Sequence, residues 1–281
     1  MKKILVIGLG VMTSGIIKNL KKKEEFEIFL LSRHCRSIQG VTLINNFEQI
    51  SEIRNLDIIL TCFTTGEESV EFAEKIKEAV QLNYNLWLID MTTSKPSLVK
   101  KAKRIFESPQ THYVECPVTG SKQGSMSGSL SLFLHINDRV VVPDYINLLF
   151  DCVAEHKYYF EKETEPTRFK LLYNAWGAAI LNSIKTYNPS RLGLCPSSLE
   201  TANHIIKNDG WMRLVCSSKL DQINSGDFDQ VSFNLKYMKK DLSYAREEIF
   251  GDFNSNFNFL YDQIKNLEPN DNQVDFSIIG R

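Results

Sequence analysis

Lys3-Ile4-Leu5-Val6-Ile7-Gly8-Leu9-Gly10-Val11-Met12 is the stretch on which the fold turns. Ile4, Leu5, Val6 and Ile7 form a short continuous apolar run, the pattern of a strand buried on both faces of a parallel sheet. Gly8 and Gly10 end the run, and a helical pattern follows. A strand that stops in G-x-G at the start of a helix is the opening of a dinucleotide fingerprint. Its glycines allow a tight turn and a close backbone approach, so that pyrophosphate oxygens meet the unpaired N–H groups of the helix N-terminus. The third position of G-x-G-x-x-G holds Thr13, and Gly15 two residues later relieves the crowding that a glycine there would avoid.

Outward from this stretch, β-rich runs at 3–8, 27–32, 57–63, 85–90, 112–115 and 131–136 alternate with helical segments at 14–22, 66–80 and 97–107. Such alternation predicts βαβ units and a doubly wound α/β sheet that binds ligands outside the carboxyl ends of its strands. From Pro166 the texture becomes helical. Phe169, Leu172, Trp176, Ala179, Ile180 and Ser183 share one face of a long helix that Pro189 stops. Segments 197–206, 211–223 and 233–250 also read as helices, 268–273 as a polar loop, and 274–279 as an apolar segment docking back on them. Two domains are expected, 1–162 and an all-helical 163–281.

Composition sets the outer limits. With 281 residues and 43% hydrophobic, 24% charged side chains, the chain can bury a sizeable core. Its 33 basic and 34 acidic side chains leave a formal net charge of -1, so neither nucleic acid nor an anionic membrane is drawn to it electrostatically. The apolar runs at 57–63 and 130–134 fall far short of the ~20 residues of a membrane span. Six cysteines without a C-x-x-C pair suggest a reducing cytoplasm, and the five histidines show no zinc-site spacing, so no metal is expected.

The end of the second strand bears on the cofactor. An acidic residue there would bind the ribose 2′-hydroxyl of NAD, but the chain reads Leu31-Ser32-Arg33-His34-Cys35-Arg36. A hydroxyl at Ser32 and a guanidinium at Arg33 suit the 2′-phosphate of NADP(H), with NAD the weaker fit.

Further motifs follow in order: Asn19-Leu20, Asp90-Met91-Thr92-Thr93-Ser94-Lys95-Pro96, Cys116-Pro117-Val118-Thr119-Gly120-Ser121 running into Gly124 and Gly128, Lys170-Leu171-Leu172-Tyr173-Asn174, Lys240-Asp241-Leu242 and Asp275-Phe276-Ser277. Together with the glycine turn they resemble the β-hydroxyacid dehydrogenase family, which includes 3-hydroxyisobutyrate dehydrogenase and the glyoxylate and succinic semialdehyde reductases. The resemblance spans nearly the whole chain. It implies an N-terminal Rossmann domain joined by a long helix to an all-α domain, a homodimer or homotetramer built through the latter, and a small carboxylate-bearing carbonyl or hydroxy acid as substrate. It makes Lys170 the catalytic proton donor and Asn174 its partner, facing an interdomain cleft from one helix face. It makes Thr119, Gly120, Ser121 and Lys240 substrate-binding residues, with Asp241 a helix-stabilising neighbour. Gly8, Leu9, Gly10, Val11, Met12, Ser32, Arg33, Phe63, Thr64, Thr93 and Lys240 are the implied cofactor contacts.

The chain departs from the family pattern at three places. Ser121 stands where the substrate loop usually has glycine, and Phe63-Thr64 replaces Leu-Pro after the third strand. The segment Thr164-Glu165-Pro166-Thr167-Arg168-Phe169 lacks the Gly-x-Gly pair that usually precedes the lysine. An imine reductase on the same scaffold is the alternative enzyme, though that group usually lacks the lysine. A non-catalytic cofactor-binding scaffold is the alternative of another class.

Overall fold

The apolar run at the start of the chain forms β1 (Lys2–Ile7), and its side chains alternate between two cores. Ile4 and Val6 join Ile16, Ile17 and Leu20 on one side, while Leu5 and Ile7 join Val70, Ala73 and Val99 on the other. This period of two follows from the pleat, and each such side chain contributes ~1.5–3 kcal/mol by leaving water. In this computed structural model the described residues are 1–32, 38–50, 53, 55–79, 85–137, 140–217, 219–267 and 273–281.

After β1 come α1 (Val11–Leu20), β2 (Phe26–Leu31), β3 (Thr42–Ile44), β4 (Ile58–Thr61), α2 (Gly66–Ala79), β5 (Leu86–Asp90), α3 (Pro96–Phe106) and β6 (Thr111–Glu115). The six strands form one parallel sheet in the order β3-β2-β1-β4-β5-β6. The order reverses between β1 and β4, and in a doubly wound sheet that switch point, at the carboxyl ends of the strands, is where ligands bind.

The run expected as a strand at 131–136 forms β8 (Leu130–Leu134), but in a separate sheet. Pro117 follows β6 closely and has no N–H to extend the ladder, so the chain turns back. It forms β7 (Val118–Thr119), α4 (Ser121–Ser127), β8, α5 (Asp144–Val153) and β9 (Ala154–Tyr159), with β7 antiparallel and β9 parallel to β8. An isolated bridge between Glu115 and His135 ties the two sheets together.

Next is α6 (Glu165–Tyr187), then a 3-10 turn at Pro189–Leu192, α7 (Pro196–Asn208), α8 (Arg213–Cys216), α9 (Leu220–Ser225), α10 (Leu235–Ala245) and α11 (Ser255–Lys265). The compact units are Met1–Lys170 and Leu171–Arg281, so the division falls inside α6 and not at 162/163. Two sequence expectations need correction here. The helix at 211–223 is two short ones, and the buried stripe of α6 is Leu171, Ala175, Ala178, Leu181 and Ile184. Of the expected stripe, Phe169, Leu172, Trp176 and Ser183 are exposed, Trp176 at 68%, while Ala179 and Ile180 are half-buried against the same core. Because α6 is apolar on more than one side, its period does not select a face; its buried stripe joins the core that Leu220, Leu235 and Leu242 share.

The segment at 274–279 docks as expected, through Asp275. Its carboxylate accepts from Lys219 Nζ at 3.0 Å, Ser232 N and Oγ at 2.7 Å, Phe233 N at 3.1 Å and Ser277 N at 3.0 Å. Burial alone would raise this carboxyl, but the hydrogen bonds from Ser232 and Ser277 hold it at about 2. Among the described residues no helix is long and apolar enough to cross a membrane, and no group of three His, Cys, Asp or Glu side chains is placed to hold a metal ion.

Candidate active site

The loops expected to carry chemistry lie at the carboxyl ends of the strands. Gly8, with φ of 79°, and Gly10 turn the chain from β1 into α1. A Cβ on Gly8 would meet nothing within 4 Å, and one on Gly10 only Thr13 Oγ1 at 3.9 Å, so the chain leaves room beside the helix start. The first turn of α1 holds no acidic residue to offset the positive end of the helix dipole. Open space, unpaired helix N–H groups and uncompensated positive potential fit a pyrophosphate.

Thr13 has work of its own at the position of the missing glycine. It is buried, and its Oγ1 accepts from Gly10 N–H at 2.8 Å, closing the turn as a capping box does. The close approach is at Gly15, where a Cβ would lie 2.2 Å from Ser125 Oγ and 2.5 Å from the Ser125 carbonyl carbon. α1 therefore packs backbone-close on α4, and Asn19 Nδ2 donates to Ser125 O at 2.9 Å across the same contact.

A second constellation gathers on Asp90 at the end of β5. This carboxylate, 5% exposed, accepts from Thr61 Oγ1 at 3.1 Å, Thr92 N at 3.0 Å and Tyr113 Oη at 2.9 Å. Burial, reinforced by Asp90, pushes the Tyr113 phenol well up, which keeps it a donor. Thr92 Oγ1 in turn accepts from Phe63 N at 2.9 Å, lacing the loop after β4 to the loop after β5 that carries half-buried Thr93. Where Leu-Pro is replaced, Glu68 Oε2 accepts from Thr64 N at 3.0 Å and Thr65 N at 3.2 Å, so a carboxylate stiffens this loop instead of a proline. Ser32 is buried just beyond β2, and Arg33 lies outside the described residues.

Thr119 ends β7, and Gly120 and Ser121 lead into α4 with φ of 129° and 56°. Ser121 thus occupies the left-handed region that glycine enters without strain, which accounts physically for glycine being usual there.

On α6, Lys170 and Asn174 lie four residues apart, hence on one face, and both are buried, at 6% and 7% exposure. Asn174 Nδ2 donates to Asp241 Oδ2 at 2.6 Å, and Lys240 Nζ sits 2.9 Å from Asp241 Oδ1. Asp241 is 2% exposed. It is therefore more than a helix-stabilising neighbour: it is the acceptor that fixes the Asn174 amide and pairs with Lys240. The signal was present in the sequence, because Leu235, Met238, Leu242 and Ala245 make the apolar stripe of α10 and Asp241 falls within it.

Ahead of Lys170, Thr164 takes the left-handed conformation, with φ of 72°, and Pro166 is accommodated in the first turn of α6. Glu115, 2% exposed, accepts from Thr164 N at 2.8 Å and Thr167 N at 2.9 Å. Burial pushes the Glu115 carboxyl up, against the pull of these donors. Arg168 points to solvent. Sequence reasoning assigned no role to Glu115 or Asp90, because their partners are set by register and helix entry, not by spacing.

Residues 3–141 match the model of the NAD binding domain of 6-phosphogluconate dehydrogenase. Over its whole length the chain has the fold of the Mycobacterium tuberculosis 3-hydroxyisobutyrate dehydrogenase solved with L-serine, at TM-score 0.80 and 17% identity, covering 99% of this chain and 98% of that one. The Aspergillus terreus reductive aminase solved with NADPH and ethyl levulinate shares the fold at TM-score 0.55 and 12% identity, covering 99% and 98%. The cytokine-like nuclear factor N-PAC of Mus musculus is 23% identical over 87% of this chain and 43% of its own length. The chain thus spans less than half the length of that relative. With the glycine turn and the strand order in place, residues 3–141 belong to the family of NAD-binding domains of the 6-phosphogluconate dehydrogenase type, and the chain as a whole has the fold of the 3-hydroxyisobutyrate dehydrogenases.

Proposed function

We propose that the protein is an NADPH-preferring oxidoreductase that interconverts a small β-hydroxy acid and its semialdehyde or keto form. The observation that carries this reading is the buried polar group on α6 and α10. Burying two lysines, an amide and a carboxylate costs several kcal/mol that an apolar core would not incur. Lys170, Asn174, Asp241 and Lys240 are nonetheless all buried or nearly so. The open glycine turn supports the dinucleotide, and the hydroxyl of Ser32 without a nearby carboxylate in 31–36 supports the 2′-phosphate.

A bound NADPH would supply the hydride that reduces a carbonyl carbon. Lys170 donates a hydrogen bond to the carbonyl oxygen and then the proton that completes the hydroxyl. Asn174, its amide held by Asp241, orients that lysine or a substrate hydroxyl. Backbone N–H groups and hydroxyls at Thr119, Gly120 and Ser121, with Lys240, hold the substrate carboxylate.

The helical unit also supports assembly with a second copy. None of the 13 residues of α7 is buried, and Trp176, Trp211 and Leu214 are 68%, 78% and 85% exposed. A homodimer or homotetramer would cover these side chains. Free thiols at Cys62, Cys116, Cys152, Cys195 and Cys216 suit a reducing compartment such as the cytoplasm.

The test is NADPH oxidation against glyoxylate, succinic, methylmalonate and tartronate semialdehydes and cyclic imines, with Lys170→Ala alongside. Turnover on a semialdehyde that falls by roughly 10²–10⁴ in Lys170→Ala, with NADPH affinity kept, is the expected result. Turnover confined to imines would replace this reading by imine reduction. NADPH binding without turnover on any compound would favour a non-catalytic scaffold.

A further inference from the structure

We propose that Glu115 is a positioning residue for the reaction: from the end of β6 its carboxylate clamps the first turn of α6 and so sets where the helix presents Lys170. This rests on the reading of Lys170 as proton donor.

A helix start leaves its first N–H groups without intrahelical partners, and here a single buried carboxylate takes the N–H of Thr164 through Oε2 and of Thr167 through Oε1. Lys170 follows three residues after Thr167, less than one turn farther along the same helix. Whatever fixes that first turn fixes the direction in which the lysine leaves the helix.

The clamp also holds a strained turn. Thr164 is β-branched, 4% exposed, and has φ of 72°, a conformation that favours glycine. Left alone, such a residue relaxes to negative φ and swings the helix start with it. The hydrogen bond from its own N–H to Glu115 opposes that relaxation. Glu115 therefore compensates for the glycine that the chain lacks before its lysine.

Glu115 is itself immobilised on both sides. Its backbone N–H donates to His135 O at 3.2 Å, and its carbonyl accepts from His135 N at 2.9 Å. Across the sheet it stands in register with Asp90, the residue that knits the loops after β4 and β5. The start of α6 is thus referenced to the same strand ends that shape the cofactor loops, which is the arrangement that a proton donor working beside a nicotinamide requires.

Two variants and a cycle test this. Glu115→Gln keeps the size but turns an N–H2 toward one of the two backbone donors. kcat, corrected for folded fraction, should fall between about 10- and 100-fold, while KM and NADPH affinity stay within about twofold. Thr164→Gly in the Glu115→Gln background should restore most of kcat, since glycine holds the turn without the clamp. Should Glu115→Gln not fold, Glu115→Asp, which reaches only one donor, should show a smaller fall in kcat with the same unchanged KM. In ¹⁵N-labelled wild-type protein the Thr164 and Thr167 amide protons should lie downfield, and in the Gln variant they should move upfield together with the Lys170 amide. A loss of melting temperature with kcat intact would overturn the proposal, as would a kcat loss that Thr164→Gly does not repair. Lys170→Ala run in parallel separates the two readings. If it keeps wild-type turnover the proton-donor assignment fails, whereas if it collapses and Glu115→Gln does not, only the clamp fails.

Discussion

Gly15→Ala should destabilise the protein although alanine is the better helix former. A Cβ at position 15 would lie 2.5 Å from the Ser125 carbonyl carbon and 2.6 Å from its oxygen. Ordinary contact begins near 3.4 Å, so α4 must withdraw by about 1 Å. Overpacking of this kind costs ~1–3 kcal/mol. The hydrogen bonds from Asn19 Nδ2 to Ser125 O and from Ser125 Oγ to Met12 O are strained with it, at ~1 kcal/mol each. Helix propensity returns ~1 kcal/mol, leaving a net loss of ~2–4 kcal/mol, or a fall in melting temperature of roughly 4–15 °C for a chain of this size. Gly177→Ala in α6 is the control, because a Cβ there meets nothing within 4 Å and should raise the melting temperature slightly. Since α4 starts at Ser121, the Gly15 variant should also raise KM for the substrate carboxylate. Thermal unfolding by circular dichroism checks the first effect and steady-state kinetics the second. Equal stabilisation by both substitutions would refute the account, for it would mean that propensity decides at position 15 and the contact with Ser125 does not.

Arg33→Ala should weaken NADPH binding roughly ten- to a hundredfold and NADH binding little, measured by fluorescence titration; equal losses would remove the arginine from the 2′-phosphate. Asp275 has its carboxyl held at about 2, below the unfolded value of 3.8, so its contribution is present above about pH 4 and lost as pH falls toward 2. Asp275→Asn should therefore lower the melting temperature at pH 6 and lose that difference by pH 2; a gap independent of pH would contradict the assignment. Hydrogen bonding with Ser197 and Ser198 brings the exposed Cys195 thiol down to about 7. Its alkylation by iodoacetamide should reach half its maximal rate near pH 7, with Ser197→Ala and Ser198→Ala moving the midpoint upward; a midpoint near 9 in the wild type would reject this. Buried Cys116, whose thiol burial pushes well up, should stay unmodified in the folded protein.

The parallel sheet was legible because a strand buried on both faces writes itself as a continuous apolar run, and Ile4 to Ile7 followed by glycine has few other readings. The glycine turn and the ordered motifs carried the family for the same local reason. β8 was assigned to the wrong sheet because strand pairing is a non-local property. Leu130–Leu134 pairs with β7 and β9 and not with the parallel ladder, a choice that no local pattern in 130–134 encodes. The buried face of α6 was misread because apolar residues occur on more than one side of that helix, so period alone could not choose between Leu171 and Leu172. Asp90 and Glu115 carried no role in the sequence reading, and Asp241 only that of a helix-stabilising neighbour, because a carboxylate beside apolar residues shows its burial at most and not its hydrogen-bond partners. Their partners lie 1 to 67 residues away, and the distant ones meet them only through register and helix packing.

The carboxylate of Asp275 joins a loop 43 residues earlier in the chain to the segment that follows it. On the ribosome this separation becomes a delay. The strands of the parallel sheet, complete by Glu115, can pair as they emerge, each within reach of one already made. The helical unit has no such early closure, since Lys219, Ser232 and Phe233 find their common acceptor only when Asp275 appears. Until then Leu220, Ile223 and Leu235 have no settled core and stay open to chaperones and proteases. A ribosome stalled between 235 and 274 would thus release a chain with a finished nucleotide-binding unit and an unfinished helical one.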